Sequence, residues 1–434
     1  MRRPNFVRPE RISYLNTISA FPESVHKANM NNATSTDTKW LCETPIHSDV
    51  EAKLRELLIE LGNADKILGI QVCAYKEGKV IIDTAAGVMG KDDPRPVQPN
   101  TLFPVFSTTK GVTAGMIHWL ADKGKLKLDE YVANIWPEFG TNGKDEIKVN
   151  HILNHTSGLH NALAGISEND PALFCDWDEC VKRIAMVTPE TEPGCEQLYH
   201  YFSYGWLCGG IIERVSGKKF QDVLEEAFVR PLNVEGELYI GIPHGVESRL
   251  ATLTFDTNEF NTFAALLANT EFRIASATPS SLTAELIEDL ILLSNTLDVR
   301  RAILPAANGH FTARALDRYY VALMDSGTIP TRHSSSSLPP LGSHPHHPTS
   351  PSNNQKYKTN NASDEINTKI FNTRQSKLHD AFLGLGGSTG YCDINNRFSI
   401  AVTVNKMSFM NLPTSEIIRF VCSKLDLPIP EDHA

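Results

Sequence analysis

No stretch of this 434-residue chain approaches the about eighteen consecutive apolar residues that a bilayer-crossing helix needs, so no membrane span is expected. Positive charge is also short: 41 Lys and Arg stand against 51 Asp and Glu, a net charge of −10. Nucleic-acid binding rests on a basic surface that releases counterions, so no nucleic-acid partner is expected. Cysteine is sparse, with eight in the chain and no C-x-x-C pair, which argues against a disulfide framework and against a zinc cage. Cys73, Cys208, Cys392 and Cys422 fall in apolar patterns and read as buried, reduced thiols of an intracellular protein, cytoplasmic or organellar. The first 47 residues have no apolar secretory core. They carry Arg2, Arg3, Arg8 and Arg11 against Glu10 and read as an irregular leader or linker.

Ample material for a core remains, with 41% hydrophobic and 21% charged residues. The length would suit two or three average domains, but a single catalytic domain with an inserted lobe fits equally well. Ser48 is a natural N-cap for an amphipathic helix that Gly62 ends, and residues 68–75 and 80–86 read as two strands of a hairpin. The segment from Pro104 to Gly124 has apolar residues at helical spacing, so one buried helix is expected across it, with Ser107 in its first turn. Helical rhythm recurs at 176–185, 220–228 and 313–324, while 397–405 reads as a strand and 414–425 as a terminal helix. Residues 333–368 are rich in Ser, Pro, His and Asn and are expected to be a disordered insertion. Its His344, His346 and His347 are read as low complexity, so no metal site is expected.

Ser107 and Lys110 lie three residues apart, so on a helix both project from one face. A serine hydroxyl is inert at neutral pH until a base takes its proton, and a lysine serves only when burial lowers its pKa. The spacing alone is weak evidence, because Ser24/Lys27 and Ser216/Lys219 repeat it. Two downstream stretches add to it: Leu153-Asn154-His155-Thr156-Ser157-Gly158-Leu159 and Tyr199-His200-Tyr201-Phe202-Ser203-Tyr204-Gly205-Trp206-Leu207.

In order and approximate spacing, these motifs resemble the serine β-lactamase and penicillin-binding-protein superfamily, most closely its class C-type, esterase-like branch, from about residue 50 onward. Similar domains occur in plant proteins joined to an atypical kinase-like domain. The resemblance implies an α+β fold: an antiparallel sheet flanked by helices, with an inserted all-helical lobe over about 160–330. The hydrolase domain would then comprise residues 48–332 and 369–434. It implies acyl transfer from a small ester or amide to water without a cofactor. Ser107 would be the nucleophile, with Lys110 and Tyr199 moving protons and Tyr201 as the fallback tyrosine. The competing reading of Tyr199 is a member of an aromatic core cluster. Gly386, Gly387 and Ser388 would form the substrate-binding turn. His155, in a tight turn, is read as structural, and His310 as equally suited to structure or substrate contact. Esterase activity is favoured over β-lactam hydrolysis.

The resemblance breaks near the end. Where the family carries a Lys-Thr-Gly or His-Ser-Gly triad on the strand walling its cleft, Phe382-Leu383-Gly384 retains only the glycine. His379-Asp380 does not fit the triad either. A segment is therefore expected to be deleted near Phe382–Leu383, through alternative splicing or a gene-model error. This would remove one oxyanion donor and leave, as the alternative to an enzyme, a non-catalytic scaffold domain.

Overall fold

The computed structural model describes residues 40–163, 171–325, 327, 381–410, 412–430 and 433. The leader as far as residue 39, the low-complexity stretch 333–368 with His344, His346 and His347, and His379-Asp380 lie outside the described residues.

Ser48 adopts the extended N-cap conformation and accepts a hydrogen bond from the Glu51 backbone, opening helix α1 (Asp49–Asn63) as expected. Strands β1 (Gly69–Lys76) and β2 (Lys79–Gly90) follow as a hairpin. Its turn places Glu77 and Gly78 at positive φ, matching the right-handed twist of the strands. After β3 (Asp93–Pro96) and β4 (Phe103–Pro104) comes helix α2 (Thr109–Asp122). The middle of the chain is largely helical: α3 (Trp177–Met186), α4 (Ser203–Ser216), then β5 (Leu238–Ile240) and β6 (Thr254–Phe255), and then α5 (Thr257–Leu267), α6 (Thr270–Ala275) and α7 (Ala284–Leu293). The chain then passes through β7 (Gly309–Phe311) and α8 (Ala313–Met324) to β8 (Ala381–Leu383), β9 (Thr389–Asp393), β10 (Phe398–Val404), β11 (Lys406–Met407) and α9 (Leu412–Lys424). Residues 220–228, expected as one helix, are α-helical to Leu224 and continue as a π turn.

Six strands pair antiparallel in the order β3-β2-β1-β10-β9-β8, so the sheet joins strands from both ends of the chain. Side chains alternate across it. Ile70, Val72, Ala74, Ile400 and Val402 pack with Leu54, Leu58 and Leu61 of α1 and with Ile417, Ile418 and Val421 of α9. Cys73, Tyr75 and Ala401 belong to the other core, on the face covered by α8. All eight cysteines are free, and Cys73, Cys208, Cys392 and Cys422 are buried. No helix among the described residues is long and apolar enough to cross a membrane.

Two expectations are corrected. The helix expected from Pro104 begins only at Thr109. Phe103 and Pro104 pair instead with β7, the Val105 N–H is bonded to Gly309, and Phe106 takes φ 44° in a bridge to Asn308. That left-handed conformation cannot continue a helix, so Ser107 sits in the turn feeding α2. The strand expected to be lost is present: β8 pairs with β9 at the sheet edge, Ala381 opposite Tyr391 and Leu383 opposite Thr389. A tight turn closes the hairpin, with Gly386 and Gly387 at positive φ and the Gly384 N–H bonded to the Ser388 carbonyl at 2.7 Å. What is missing from β8 is the Lys/His and Ser/Thr chemistry of the triad.

Candidate active site

The β4–α2 turn fixes Ser107 from both sides. Upstream, Phe106 is held in its left-handed conformation; downstream, the Lys110 N–H reaches the Ser107 carbonyl at 2.9 Å. In the first turn of α2, Lys110 is fully buried, and its Nζ donates to Ser107 Oγ at 3.1 Å and to the carbonyls of Tyr201 and Ala306, each at 2.9 Å. Tyr199 comes from the segment before α4, and its Oη donates to Ser107 Oγ at 2.6 Å. Three groups separated by up to 92 positions thus meet at one hydroxyl, and the Lys110 ammonium nitrogen lies 4.8 Å from the Tyr199 ring centre.

Burial lowers the Lys110 pKa below the usual lysine value, opposed by the neighbouring Tyr199. As an ammonium, Lys110 donates to all three acceptors; once deprotonated, it can keep its two N–H bonds to the Tyr201 and Ala306 carbonyls and turn its lone pair to Ser107 Oγ. The segment carrying Ala306 is tied to α2 by Thr113 Oγ1, which donates to the Pro305 carbonyl at 2.7 Å, and by the Gly309 N–H, which donates to Thr109 Oγ1 at 2.8 Å.

Tyr199 is positioned by the other two motifs acting as one body. Its N–H donates to the Ala277 carbonyl at 2.8 Å, and the preceding Leu198 N–H donates to the His155 carbonyl at 3.1 Å. His155 has φ 62°, its Nδ1 accepts the His200 N–H at 3.2 Å, and its ring packs against that of Tyr199 at a tilt of 52°, with centres 5.0 Å apart. His200 is fully buried, which pulls its pKa down to about 3 and keeps it neutral. Its Nδ1–H then donates to the Leu198 carbonyl at 2.6 Å, so Nε2 accepts from Ser157 Oγ at 2.7 Å. Sequence reasoning did not single out His200 or Ser157. Their signal was the pairing of the two motifs, each incomplete without the other.

The far wall is the β8–β9 turn. A Cβ on Gly384 would fall 2.3 Å from the Val105 carbonyl and 2.9 Å from Thr108 Oγ1, so only glycine lets the end of β8 approach the Ser107 turn this closely. Thr108 Oγ1 clamps the same wall by donating to the Ser388 carbonyl at 2.9 Å. Among the described residues, the N–H groups of Ser107 and Leu385 donate to no acceptor. Of the turn residues expected to bind substrate, Gly386 lines the cleft beside Ser107. Gly387 and Ser388 lie behind it: the Gly387 carbonyl accepts from Thr414 Oγ1 at 2.8 Å, and Ser388 Oγ accepts from the Val404 N–H at 3.2 Å. Tyr201 lines the cleft and its Oη bonds Ser281 Oγ at 3.0 Å, but it is Tyr199 that reaches Ser107. His310 is fully buried with its Nδ1 on the Asn308 carbonyl and its pKa pushed down to about 3, which is a structural placement.

The Ser107 turn, a buried lysine and a tyrosine meet between an antiparallel sheet and a helical lobe. The chain matches the family model described as Beta-lactamase over residues 54–416, and it belongs to that family, within the serine β-lactamase and penicillin-binding-protein superfamily. It is 30% identical over 263 residues to Esterase/beta-lactamase LipL of Mycobacterium tuberculosis (strain ATCC 25618 / H37Rv), a match covering 60% of this chain and 59% of that protein. The chain spans about half the length of the curated relatives it matches. Among solved structures, it is similar to a penicillin-binding protein homologue from Caulobacter crescentus, with 26% identity, TM-score 0.64, and coverage of 88% of this chain and 99% of that one. A family VIII carboxylesterase, 23% identical, shares the fold with TM-score 0.64 over 88% of this chain and 99% of its own.

Proposed function

We propose that the chain is a serine hydrolase that transfers an acyl group from an ester or amide to water through an acyl-enzyme on Ser107. The observation that carries this reading is the convergence of Lys110 Nζ and Tyr199 Oη on Ser107 Oγ at 3.1 and 2.6 Å. The Ser107 Oγ–H proton passes to the neutral Lys110 amine as Oγ attacks the substrate carbonyl. The oxyanion formed is met by the N–H groups of Ser107 and Leu385, which donate to no protein acceptor among the described residues. Collapse breaks the carbonyl–leaving-group bond, and the proton held at Lys110 moves through Tyr199 Oη to the departing oxygen or nitrogen. Water then enters along the same path. It gives its proton to the Tyr199–Lys110 pair and attacks the acyl carbon, and Ser107 is regenerated as the acid leaves. The chemistry needs no metal or organic cofactor.

Esters are favoured over amides because an alcohol leaves from the tetrahedral intermediate more readily than an amine. The name of the relative LipL carries both esterase and β-lactamase. A second reading, a scaffold with weakened or no catalysis, draws on Phe382-Leu383 standing where the family's triad has Lys/His and Ser/Thr. Hydrolysis of p-nitrophenyl acetate by the wild type, beside Ser107→Ala purified identically, separates the two. Turnover that falls to background in the alanine variant supports the hydrolase; equal traces in both support the scaffold.

A further inference from the structure

The cleft over Ser107 is a cavity of about 150 Å³ whose described lining contains no Lys, Arg, His, Asp or Glu side chain. One side is formed by the Ser107 turn, Tyr199, Tyr201 and the Gly384–Gly386 wall. The other is formed by the helical cap, with Phe263 and Leu266 on α5, Phe272 on α6, and Leu290 and Leu293 on α7. This cap has its own small core, in which Phe260, Leu267, Ile287 and Ile291 pack against Phe106 and Phe409. The apolar surface facing Ser107 is therefore continuous with a built structure. Leu266, Leu290 and Leu293 are only half-buried, so part of their apolar surface is left for a ligand to cover.

The cap's cations are turned to other work. Arg273 donates to the carbonyls of Pro279 and Leu282 at 2.7 and 3.2 Å, and buried Arg300 donates to the Ser294 and Ala251 carbonyls at 3.1 and 2.9 Å. They staple the cap's loops together. Lys110 is sealed beneath Ser107 on two carbonyls, and the β8 wall has Phe382-Leu383 in place of a cationic position. A substrate carboxylate brought into this cleft would lose its hydration with no described cation to receive it.

We infer that this cleft is an acyl-chain site, and that the preferred substrates are uncharged esters of medium-length straight-chain fatty acids, with the chain lying under α5–α7 and the carbonyl at Ser107. This rests on the serine-hydrolase reading above and adds a substrate class to it. Each methylene taken fully out of water favours binding by roughly fourfold, so several bound methylenes outweigh anything a short acyl group can gain. The same surface disfavours substrates that bear a carboxylate.

The test has two arms. In the first, kcat/KM is measured for p-nitrophenyl acetate, butyrate and octanoate, and for the p-nitrophenyl monoester of suberic acid, whose acyl chain is as long as octanoate's but ends in a carboxylate. The expected result is a rise on the order of tenfold or more from acetate to octanoate, lost when the chain ends in the carboxylate. Leu290→Trp, which fills the cap side, should lower the octanoate-to-acetate ratio. In the second arm, binding of intact p-nitrophenyl octanoate and acetate to Ser107→Ala is measured by calorimetry, with octanoate expected to bind more tightly. A flat or falling chain-length profile in an enzyme that turns over acetate through Ser107 overturns the acyl-chain site and leaves the hydrolase reading standing. If wild type turns over none of the esters, the hydrolase reading fails. The calorimetry then decides the site alone: tighter octanoate binding supports it, and equal binding overturns it.

Discussion

Lys110 carries the largest demand on a single residue. Its ammonium is desolvated, so its pKa is lowered, and only the deprotonated amine can take the Ser107 proton. Activity should therefore rise with pH through the lowered Lys110 value and level off above it. Measuring kcat/KM over roughly pH 6 to 10 checks this, and a profile with no rising limb would contradict a lysine base. Stability follows the same sign. Between the folded pKa and the higher unfolded one, the unfolded chain holds a proton that the folded chain has released, so stability increases with pH across that window. In Lys110→Met both dependences should vanish together, visible in denaturant melts at several pH values. Tyr199→Phe removes the phenol that sits 2.6 Å from Ser107 while keeping the ring packed on His155. It should lower kcat by about 10²- to 10⁴-fold with little change in melting temperature. The meeting of Ser107, Lys110 and Tyr199 was legible in the sequence because each lies in a short motif whose spacing reflects local geometry. The carbonyls of Tyr201 and Ala306 were not legible, since a backbone oxygen has no side-chain signature and Ala306 is 196 positions from Lys110.

At the scale of elements, the two departures from the sequence reading share a cause. Residues 104–108 have helical periodicity, but pairing of Phe103 with Phe311 and of Phe106 with Asn308 overrides it, and those partners lie some two hundred positions away. β8 is three residues long and is defined by its pairing to β9 across a glycine turn, a pattern too short for periodicity to reveal. By contrast, the start of α1 was readable from its serine cap, although the helix runs past the expected Gly62 stop to Asn63, and the β1–β2 hairpin was readable from its Gly78 turn. The lobe was expected to be helical as a whole, but its cap helices α5–α7 were not singled out, nor which of their faces would turn toward Ser107. The close approach of β8 to the nucleophile turn makes a testable point. Gly384→Ala places a methyl 2.3 Å from the Val105 carbonyl, a backbone atom that cannot swing aside. The wall must retreat and carry the Leu385 N–H with it. Loss of one oxyanion donor costs about 10²–10³ in kcat, so kcat should fall by that order while circular dichroism still reports a folded chain.

Over the whole molecule, two cores on opposite faces of one sheet hold the site between chain segments that are far apart in sequence. The core under α1 and α9 includes none of Ser107, Lys110 and Tyr199, so a mutation there should change stability and leave chemistry alone. Leu58 is fully buried in that core. Leu58→Ala should destabilise by about 2–5 kcal/mol, read as a lower urea midpoint, with kcat/KM of the remaining folded protein unchanged. The opposite face holds a buried ion pair, Arg314 Nη2 to Asp83 at 2.7 Å, that ties α8 to β2. The chain's family membership and its sheet-plus-lobe architecture both converge on the same turn, and the central claim is that a covalent acyl-enzyme forms there. The most direct measurement is intact-protein mass spectrometry after brief exposure to a fluorophosphonate, followed by peptide mapping. The account predicts a single adduct on the peptide carrying Ser107, absent from Ser107→Ala and slowed in Tyr199→Phe. No adduct, or one that persists in Ser107→Ala, would contradict it.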